Sequence, residues 1–260
     1  MIKNTIISFI LGGLVCLELS AETLTIGNDN WEPYQGEHFK HGGILPHIVT
    51  QAFAVEAIDV ENRWVPWKRV ITYVKSGRWD VVNSVIKNQE RDSFLLYTDA
   101  IMTYQPYFFH LKSKPLEFKR MSDLSGKIVG TKRGYYYGDR FKDAVTSRQV
   151  SLEEETHHKQ NFKKLLAGRI HLVIIDKEAA FNLLQKQFTK NELNAITFHP
   201  VPVQSLDVHL GISKNIERGQ QLVKSFNRGL KVLKQNGKLD QMWRDFESGA
   251  YQPEIYAPET

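Results

Sequence analysis

The chain has 260 residues, a length that allows one large domain or two smaller ones, each with its own hydrophobic core. Apolar residues make up 42% of the sequence and charged residues 24%, which is ordinary for a globular protein and excludes a collagen-like, coiled-coil or extensively disordered chain. The formal net charge is +5, and basic residues cluster between Lys112 and Lys142. Such a patch could contact nucleic acid, anionic lipid or an acidic partner, but a solvated face is the commoner explanation.

The first 21 residues have the organisation of a secretory signal peptide. Lys3 supplies a positive charge, residues 6–17 form an apolar run, and the small residues Ser20 and Ala21 precede polar sequence. We therefore predict cleavage near Ala21 and export to the periplasm, with an uncleaved membrane anchor as the alternative. Export also argues against a nucleic-acid partner. The single cysteine, Cys16, lies inside this segment, so the mature chain would contain no disulfide and no reactive thiol.

Apolar strand-like runs alternate with helix-like stretches along the rest of the chain. In chain order the sequence predicts a strand over 24–26, a helix over 45–55, a strand over 60–65 and a helix that opens at Pro66 and runs to Tyr73. The later predicted elements are strands over 80–86, 128–131, 170–175 and 208–212, and helices from about Tyr137, over 178–187, and over 216–246 with a break at Gly237. This alternation indicates an α/β fold of open sheets covered by helices. Residues after Ser248 are predicted to form an irregular surface segment, with 251–260 as a C-terminal tail.

Four groups of short motifs follow one another in the chain. They are Gly27–Tyr34 with Gly42–Gly43; Gly77–Ser84 with Glu90–Arg91 and Tyr97–Asp99; Asp123–Gly130 with Arg133–Gly134; and Gly168–Asp176 with the closing Lys234–Gly237 and Met242–Trp243. Each motif is weak alone, but their order and spacing are much more specific. Together they resemble the family 3 extracellular solute-binding proteins, the polar amino-acid receptors of ABC transporters, over nearly the whole mature chain.

The resemblance implies a periplasmic binding protein type II-like α/β fold, in which two lobes joined by two crossovers close on a ligand. Lobe 1 would comprise residues 22–108 plus 206–250 and lobe 2 residues 113–201. The crossovers would fall near Phe108 to Lys112 and near Pro202 to Leu206. The implied function is to bind a small amino-acid-like or carboxylate ligand for delivery to a membrane permease. The resemblance implies no cofactor, no metal and no catalytic residue, and we expect a monomer.

Arg91 and Asp176 are the residues that the resemblance assigns to the charged groups of the ligand. Arg91 matches the arginine that holds the ligand's α-carboxylate, a task for which a planar guanidinium is suited. Without the resemblance it would be interpreted as a surface arginine after a polar turn. Asp176 matches the aspartate that accepts hydrogen bonds from the α-ammonium, and it ends an apolar strand, where open α/β sheets bind ligands. An aspartate before a helix is also a common N-cap, so both roles stay open.

Aromatic residues are expected to form the walls of the pocket. Trp31 and Trp67 match the family's two aromatic walls, although such residues belong to a core about equally often. Gly134, Tyr135 and Tyr136 stand where the family has a glycine followed by small hydroxyl residues, whose backbone N–H groups at a helix start donate to the carboxylate. The tyrosines could instead pack on the surface of lobe 2.

The interval from Asp80 to Arg91 is one residue shorter than in the family, so the sequence leaves open which residue of lobe 1 faces the ligand. The candidates are Asn83, Ser84 and Ile86. Of these, Ser84 lies nearest to the family's hydroxyl residues. Asp29 is a further candidate, as a selector for a cationic side chain. Arg69 lies in a basic stretch that the family lacks, and it could extend anion binding or face solvent.

Two other functions stay open. One is an enzyme on the same scaffold that resembles a cyclohexadienyl dehydratase, with Asp176 or Glu178 as its acid or base. The other is a ligand sensor that docks to a membrane receptor instead of a permease. The pair His157–His158 is a weak metal candidate, because no third ligand follows at a recognisable spacing. The sequence contains no serine-hydrolase elbow, phosphate-binding loop or dinucleotide fingerprint.

Overall fold

The structure is a computed structural model that describes residues 23–253. The predicted signal segment 1–21 and residues 254–260 of the predicted tail lie outside the described residues. In chain order the strands are β1 (Leu24–Asn28), β2 (Val60–Trp64), β3 (Val81–Ile86), β4 (Leu95–Tyr104), β5 (Pro106–Leu111), β6 (Lys127–Lys132), β7 (Val150–Glu155), β8 (Leu172–Asp176), β9 (Ile196–Phe198) and β10 (Leu206–Ser213). The α-helices are α1 (Ile44–Ala54), α2 (Trp67–Lys75), α3 (Gln89–Asp92), α4 (Asp139–Thr146), α5 (His158–Leu166), α6 (Lys177–Gln187), α7 (Lys190–Ala195), α8 (Gly219–Gln235) and α9 (Lys238–Glu247).

The strands form two five-stranded sheets. The first has the order β2-β1-β3-β10-β4 and the second the order β7-β6-β8-β5-β9. In the first sheet β1 pairs in parallel with β2 and β3, and in the second β6 pairs in parallel with β7 and β8. Parallel neighbours need long crossover connections, which the intervening helices supply. The carboxyl ends of β1 and β3 therefore lie along one edge of the first sheet, and those of β6 and β8 along one edge of the second.

The chain passes between the sheets twice. β4 ends in the first sheet at Tyr104 and β5 begins in the second sheet at Pro106, so the first passage is at Gln105. This is earlier than the expected crossover near Phe108 to Lys112, because Phe108 is already paired with Ile174 of β8. The second passage runs from the end of β9 to the start of β10 and includes the expected Pro202 to Leu206. Below, lobe 1 and lobe 2 denote the parts built on the first and second sheets.

Each sheet buries an apolar core under its helices. In lobe 1 a cluster of fully buried side chains joins β1 to α1 and α8, and in lobe 2 another joins β5 and β8 to α5 and α6. Trp31 packs against clusters of both lobes. Tyr251, in the predicted surface tail, is buried in the lobe 1 core instead, and its carbonyl accepts a hydrogen bond from Lys40 N–H at 3.2 Å. Among residues 23–253 no helix combines the length and apolar character needed to span a membrane.

Gly229 lets α8 lie directly on the backbone of α1. A Cβ atom at this position would stand 1.9 Å from the carbonyl oxygen of Ala52, so any larger residue must separate the two helices. We expect Gly229→Ala to lower the free energy of unfolding by about 1–3 kcal/mol, as overpacking does in other cores. Lys231→Ala, on the exposed face of the same helix, is the matched control and should change it by less than about 0.5 kcal/mol. Urea denaturation measures both; equal stability of the two variants would contradict the close contact.

Candidate functional site

The cleft between the two lobes receives side chains from the carboxyl ends of the parallel strands. β1 leads into Asp29 and Trp31, β6 ends at Lys132, and β8 ends at Asp176. The carboxyl ends of strands in open α/β sheets are where ligands bind. The fold therefore assembles in one cleft several polar and aromatic residues that are far apart in the sequence.

Arg91 is a buried cation that has no carboxylate partner among residues 23–253. Its side chain is only 6% exposed, and it forms no salt bridge with any described residue. The guanidinium donates hydrogen bonds to two carbonyl oxygens, of Ile86 at 2.8 Å and of Gly134 at 3.3 Å, and lies 5.2 Å from the centre of the Trp67 ring. The pKa of Arg91 is lowered, because burial disfavours its charge. A buried charge of this kind gains stability from an anion that meets the guanidinium.

The backbone before Arg91 holds it in place. The side chain of Asn88 caps α3 and accepts a hydrogen bond from the Arg91 N–H at 2.9 Å. Arg91 thus belongs to a short capped helix directly after β3, and its side chain turns back over the end of that strand to reach Ile86. The alternative of a surface arginine is excluded, because Arg91 is buried.

Lobe 2 meets Arg91 through a carbonyl group and not through N–H groups. The Gly134 oxygen accepts hydrogen bonds from Arg91 and from Trp67 Nε1, the latter at 3.0 Å. The Tyr135 N–H donates to the Lys132 carbonyl oxygen at 3.0 Å. The helix predicted from about Tyr137 is α4, which begins at Asp139, after Gly138, whose φ of 102° suits glycine. Residues 134–136 therefore do not form the helix start that the resemblance implies.

A buried ion pair joins the lobes beside this point. Lys132 Nζ lies 2.8 Å from Asp29 Oδ2, with side-chain exposures of only 12% and 5%. The Tyr135 hydroxyl lies 2.7 Å from Lys132 Nζ and donates to Asp29 Oδ2 at 3.0 Å. Lys132 also donates to the carbonyl oxygen of Asn30 at 3.1 Å. Asp29, a candidate selector for a cationic side chain, is therefore already neutralised by a lysine of this same chain.

Asp176 is buried at the N-terminus of α6 and contacts both lobes. Its carboxylate caps the helix by accepting from the Ala179 N–H at 2.9 Å, which establishes the capping role left open by the sequence. It also accepts from Trp31 Nε1 at 3.2 Å and from the Tyr34 hydroxyl at 3.3 Å, both in lobe 1. Burial raises the pKa of Asp176 from 3.8 to about 6, against the lowering effect of the hydrogen bond from Ala179.

Three adjoining cavities lie along the cleft. The first, of about 30 Å³, is lined by Arg91 and is called the Arg91 cavity below. The second, of about 330 Å³, is lined by Asp176, and the third, of about 770 Å³, is lined by Trp67. Asp176 does not line the Arg91 cavity, but the two cavities share Trp31, Tyr104 and Tyr135. The Arg91 cavity is lined by Asp29, Trp31, Trp67, Ser84, Ile86, Arg91, Tyr104, Tyr135, Tyr136 and Val208. All of the predicted ligand residues except Asp176 and Gly134 thus line the Arg91 cavity, and Gly134 contacts Arg91 through its carbonyl oxygen.

The three candidates after Asp80 are separated by the structure. Ser84 and Ile86 line the Arg91 cavity, whereas Asn83 is fully buried and donates to Asn28 at 2.9 Å. Ser84 has a φ of 59°, a strained value for a residue other than glycine. Its hydroxyl donates to Gln35 Oε1 at 2.9 Å. Backbone strain of this kind is often found at ligand-binding sites.

Three residues of the site were not predicted. Tyr34 lies within a motif that was recognised, but nothing in the sequence showed that its hydroxyl reaches Asp176. Lys132 is one of many basic residues in its region, and only the fold places it against Asp29. Tyr104 ends a strand that the sequence did not predict, and its ring meets Trp31 edge-on at 5.6 Å. Of the three, only Tyr34 lies within one of the motifs, and the motif gives no sign of its contact with Asp176.

The histidine pair does not form a metal site with other described residues. Within residues 23–253, no group of three or more histidine, cysteine, aspartate or glutamate side chains could hold a metal ion. His158 is buried, and the loss of solvent lowers its pKa to about 3, so it is neutral. Both His157 and His158 line the cavity that contains Asp176.

The topology of the two sheets, the two passages between them and the cleft at the facing strand ends define the fold of the type II periplasmic binding proteins. Residues 24–247 match the bacterial extracellular solute-binding proteins, family 3, and the chain belongs to that family. The predicted family and the predicted α/β fold are thereby confirmed.

Similar proteins include binding proteins and a sensor domain. The chain is 24% identical to the L-cystine-binding protein TcyJ of Escherichia coli (strain K12) over 236 residues. This match covers 89% of the chain and 85% of TcyJ. A histidine kinase sensor domain with similarity to periplasmic binding proteins has a TM-score of 0.73 and 17% identity, over 86% of this chain and 96% of that one. The amino acid ABC transporter substrate-binding protein AbpA from Streptococcus pneumoniae, bound to L-arginine, has a TM-score of 0.70 and 18% identity, over 88% and 96%. The two solved structures show the shared fold.

Proposed function

We propose that this protein binds a small amino-acid-like ligand through its carboxylate, which Arg91 holds in the cleft between the lobes. The observation that carries the proposal is the buried guanidinium of Arg91, whose hydrogen bonds go to carbonyl oxygens and which has no salt bridge among the described residues. Its planar fork matches a carboxylate, and a bidentate pair of this kind is among the strongest polar contacts that proteins make. The relatives that bind L-cystine and L-arginine support an amino acid as the ligand class.

Asp176 is proposed to accept hydrogen bonds from the ligand's ammonium group. The cavities that contain Arg91 and Asp176 adjoin and share aromatic walls, so a zwitterion can extend from one into the other. Trp31, which lines both cavities, would cover the ligand's carbon chain. The hydrogen bonds to Trp31 and Tyr34 hold the carboxylate of Asp176 at the interface between the lobes.

Delivery of the ligand to an ABC-type membrane permease is the proposed biological role, and it is the usual role of this family. The proposal includes export of a monomeric mature protein that begins near Glu22. Mass spectrometry of the protein recovered from the periplasmic fraction tests this export: we expect a mass that corresponds to cleavage after Ala21, and retention of the first 21 residues in the recovered protein would contradict it.

A thermal-shift panel of amino acids and small carboxylates tests the binding function. A ligand present at 100 times its dissociation constant should stabilise the protein by about 2.7 kcal/mol. We expect at least one zwitterion to produce such a shift, and to produce none in the Arg91→Met variant. If no amino acid or small acid shifts the melting temperature of the wild type, the proposed function is wrong.

Ligand affinity should depend on pH through Asp176. Because the pKa of this carboxyl is about 6 in the free protein, an approaching ammonium group must draw it into the charged form below that pH. Binding then releases a proton, so affinity should fall as the pH drops below 6, by up to about tenfold per pH unit. Isothermal titration between pH 5 and pH 8 measures this dependence. Asp176→Asn, which keeps an acceptor for the Ala179 N–H, should bind more weakly and lose the dependence; a wild-type affinity that is flat over this range would contradict the assignment.

The same pKa fixes the sign of a stability effect in the free protein. The folded state holds the proton of Asp176 at a higher pH than the unfolded chain does, so this group contributes stability below pH 4 that is lost as the pH rises to about 6. Comparison of the wild type with Asp176→Asn by urea denaturation at several pH values isolates this contribution.

A catalytic role is a second candidate, and Asp176 is the observation that favours it. A buried carboxyl with a pKa of about 6 can act as a general acid or base near neutral pH. Incubation of the purified protein with cyclic prephenate-like acids, followed by product analysis, tests it. Turnover that Asp176→Asn abolishes would support the enzyme, and the absence of turnover would leave binding as the function.

A further inference from the structure

The largest of the three cavities in the cleft, of about 770 Å³, lies beside the proposed carboxylate site but is distinct from it. The start of α2 lines it from lobe 1, and Lys132 and Arg133 line it from lobe 2. Asp29 and Trp67 line this cavity and also the Arg91 cavity, so the two adjoin along the Trp67 indole. A ligand anchored at Arg91 can therefore extend past Trp67 into the larger space.

The lining of this cavity carries an excess of positive charge. Lys68, Arg69 and Arg133 line the cavity, are exposed, and form no salt bridge with any described residue. Lys132 is neutralised by Asp29, as described above. Glu37, which is exposed, is the other carboxylate in the lining. The basic groups come from both lobes, so an anion between them would contact both sides of the cleft.

Part of the cavity wall is aromatic and suits the middle of an extended ligand. Trp64, Trp67 and Tyr73 line it, and Trp67 is held by its hydrogen bond to the Gly134 carbonyl oxygen. Aromatic faces cover a carbon chain or a peptide bond without requiring a specific hydrogen bond. The neighbouring arginines then fix the position of an acidic group at the far end, because guanidinium groups meet carboxylates bidentately.

We propose that this cavity is a second subsite, which takes the distal carboxylate of an elongated ligand between Arg69 and Arg133. The ligand class is therefore an acidic amino acid derivative or an acidic dipeptide, with one carboxylate at Arg91 and the other at the mouth of the cleft. This inference rests on the proposed function, since it assumes that Arg91 holds the first carboxylate. It also explains the basic Trp67–Arg69 stretch, which the family pattern does not contain.

Isothermal titration with two matched pairs of probes tests the subsite. The pairs are L-glutamate with L-glutamine, and L-alanyl-L-glutamate with L-alanyl-L-glutamine; each pair differs by one negative charge at nearly constant shape. In at least one pair the wild type should bind the acidic member about tenfold more tightly than the amide. Two partly exposed ion pairs together contribute about this much binding free energy. The preference should shrink at high ionic strength, because exposed charges are screened.

The variant Arg69→Gln/Arg133→Gln should bind both members of that pair equally and should keep the wild-type affinity for the amide. Arg140→Gln/Lys142→Gln removes the same charge from exposed positions of lobe 2 outside the cavity, and it should keep the preference. Three results would overturn the subsite without affecting the proposed function. The wild type could show no preference for the acidic member, the double variant could keep the preference, or the double variant could also lose its affinity for the amide. If the wild type binds none of the four probes, the subsite fails for these acids; if the amino-acid panel also fails, the proposed function fails with it.

Discussion

Arg91→Met is expected to weaken ligand binding strongly while leaving the free protein folded and at least as stable as the wild type. Loss of one partner from a desolvated ion pair costs about 3–5 kcal/mol, so the dissociation constant should rise about 100-fold or more. The free protein loses two hydrogen bonds to carbonyl oxygens, but it no longer buries a charge that lacks a carboxylate partner within the described part of the chain. Removal of such a charge is often neutral or stabilising. Titration calorimetry gives the affinity, and thermal unfolding of the ligand-free variant gives the stability.

Arg91→Lys is the matched control for this experiment. It keeps the positive charge but replaces the planar fork with a single ammonium group, which cannot meet a carboxylate bidentately. We expect an affinity between those of the wild type and Arg91→Met. An affinity of Arg91→Met within threefold of the wild-type value would show that the carboxylate binds elsewhere. A large loss of stability in the free variant would assign Arg91 a structural role instead.

Lys132→Met is expected to weaken closure of the cleft and to make the site accept cationic side chains. The variant leaves Asp29 charged and buried between the lobes, at a cost of about 2–5 kcal/mol for the closed arrangement. A ligand with a cationic side chain can replace the lost ammonium group. The preference for L-arginine over L-glutamine, measured by titration calorimetry, should therefore rise in this variant relative to the wild type.

The double variant Asp29→Asn/Lys132→Met provides the control, because it removes the charge of both partners. It should lose the new preference for L-arginine, and a double-mutant cycle on stability should give a coupling of about 1–3 kcal/mol between the two positions. If Lys132→Met binds L-arginine no better than the wild type does, then Asp29 does not face the ligand. A coupling near zero would show that the ion pair does not hold the lobes together.

The sequence predicted those parts of the fold that depend on local patterns. Strand β8 is an apolar run that ends at Asp176, and the break at Gly237 between α8 and α9 follows from a left-handed residue with a φ of 76°. It did not predict β4 and β5, which pair with strands far away in the chain, as when Tyr104 meets Leu206. The position of the first crossover depends on that distant pairing, and for this reason it was placed too late.

The candidate site was predictable only where a single residue carries the chemistry. Arg91 and Asp176 stand in motifs, Asp176 at the end of β8 and Arg91 in the short helix that follows β3. The ion pair of Lys132 with Asp29 joins residues 103 positions apart, and no local pattern connects them. The same holds for Tyr34, whose hydroxyl reaches Asp176 from the other lobe. Sequence therefore identified the charged groups but not the contacts that divide the cleft into adjoining cavities.

The crystal structure of the protein with its bound ligand is the measurement that tests the central claim most directly. The account predicts a carboxylate of the ligand opposite the Arg91 guanidinium, with two N–H···O hydrogen bonds of about 2.7–2.9 Å. A ligand whose carboxylate lies elsewhere, with Arg91 still bonded only to the carbonyl oxygens of Ile86 and Gly134, would contradict it.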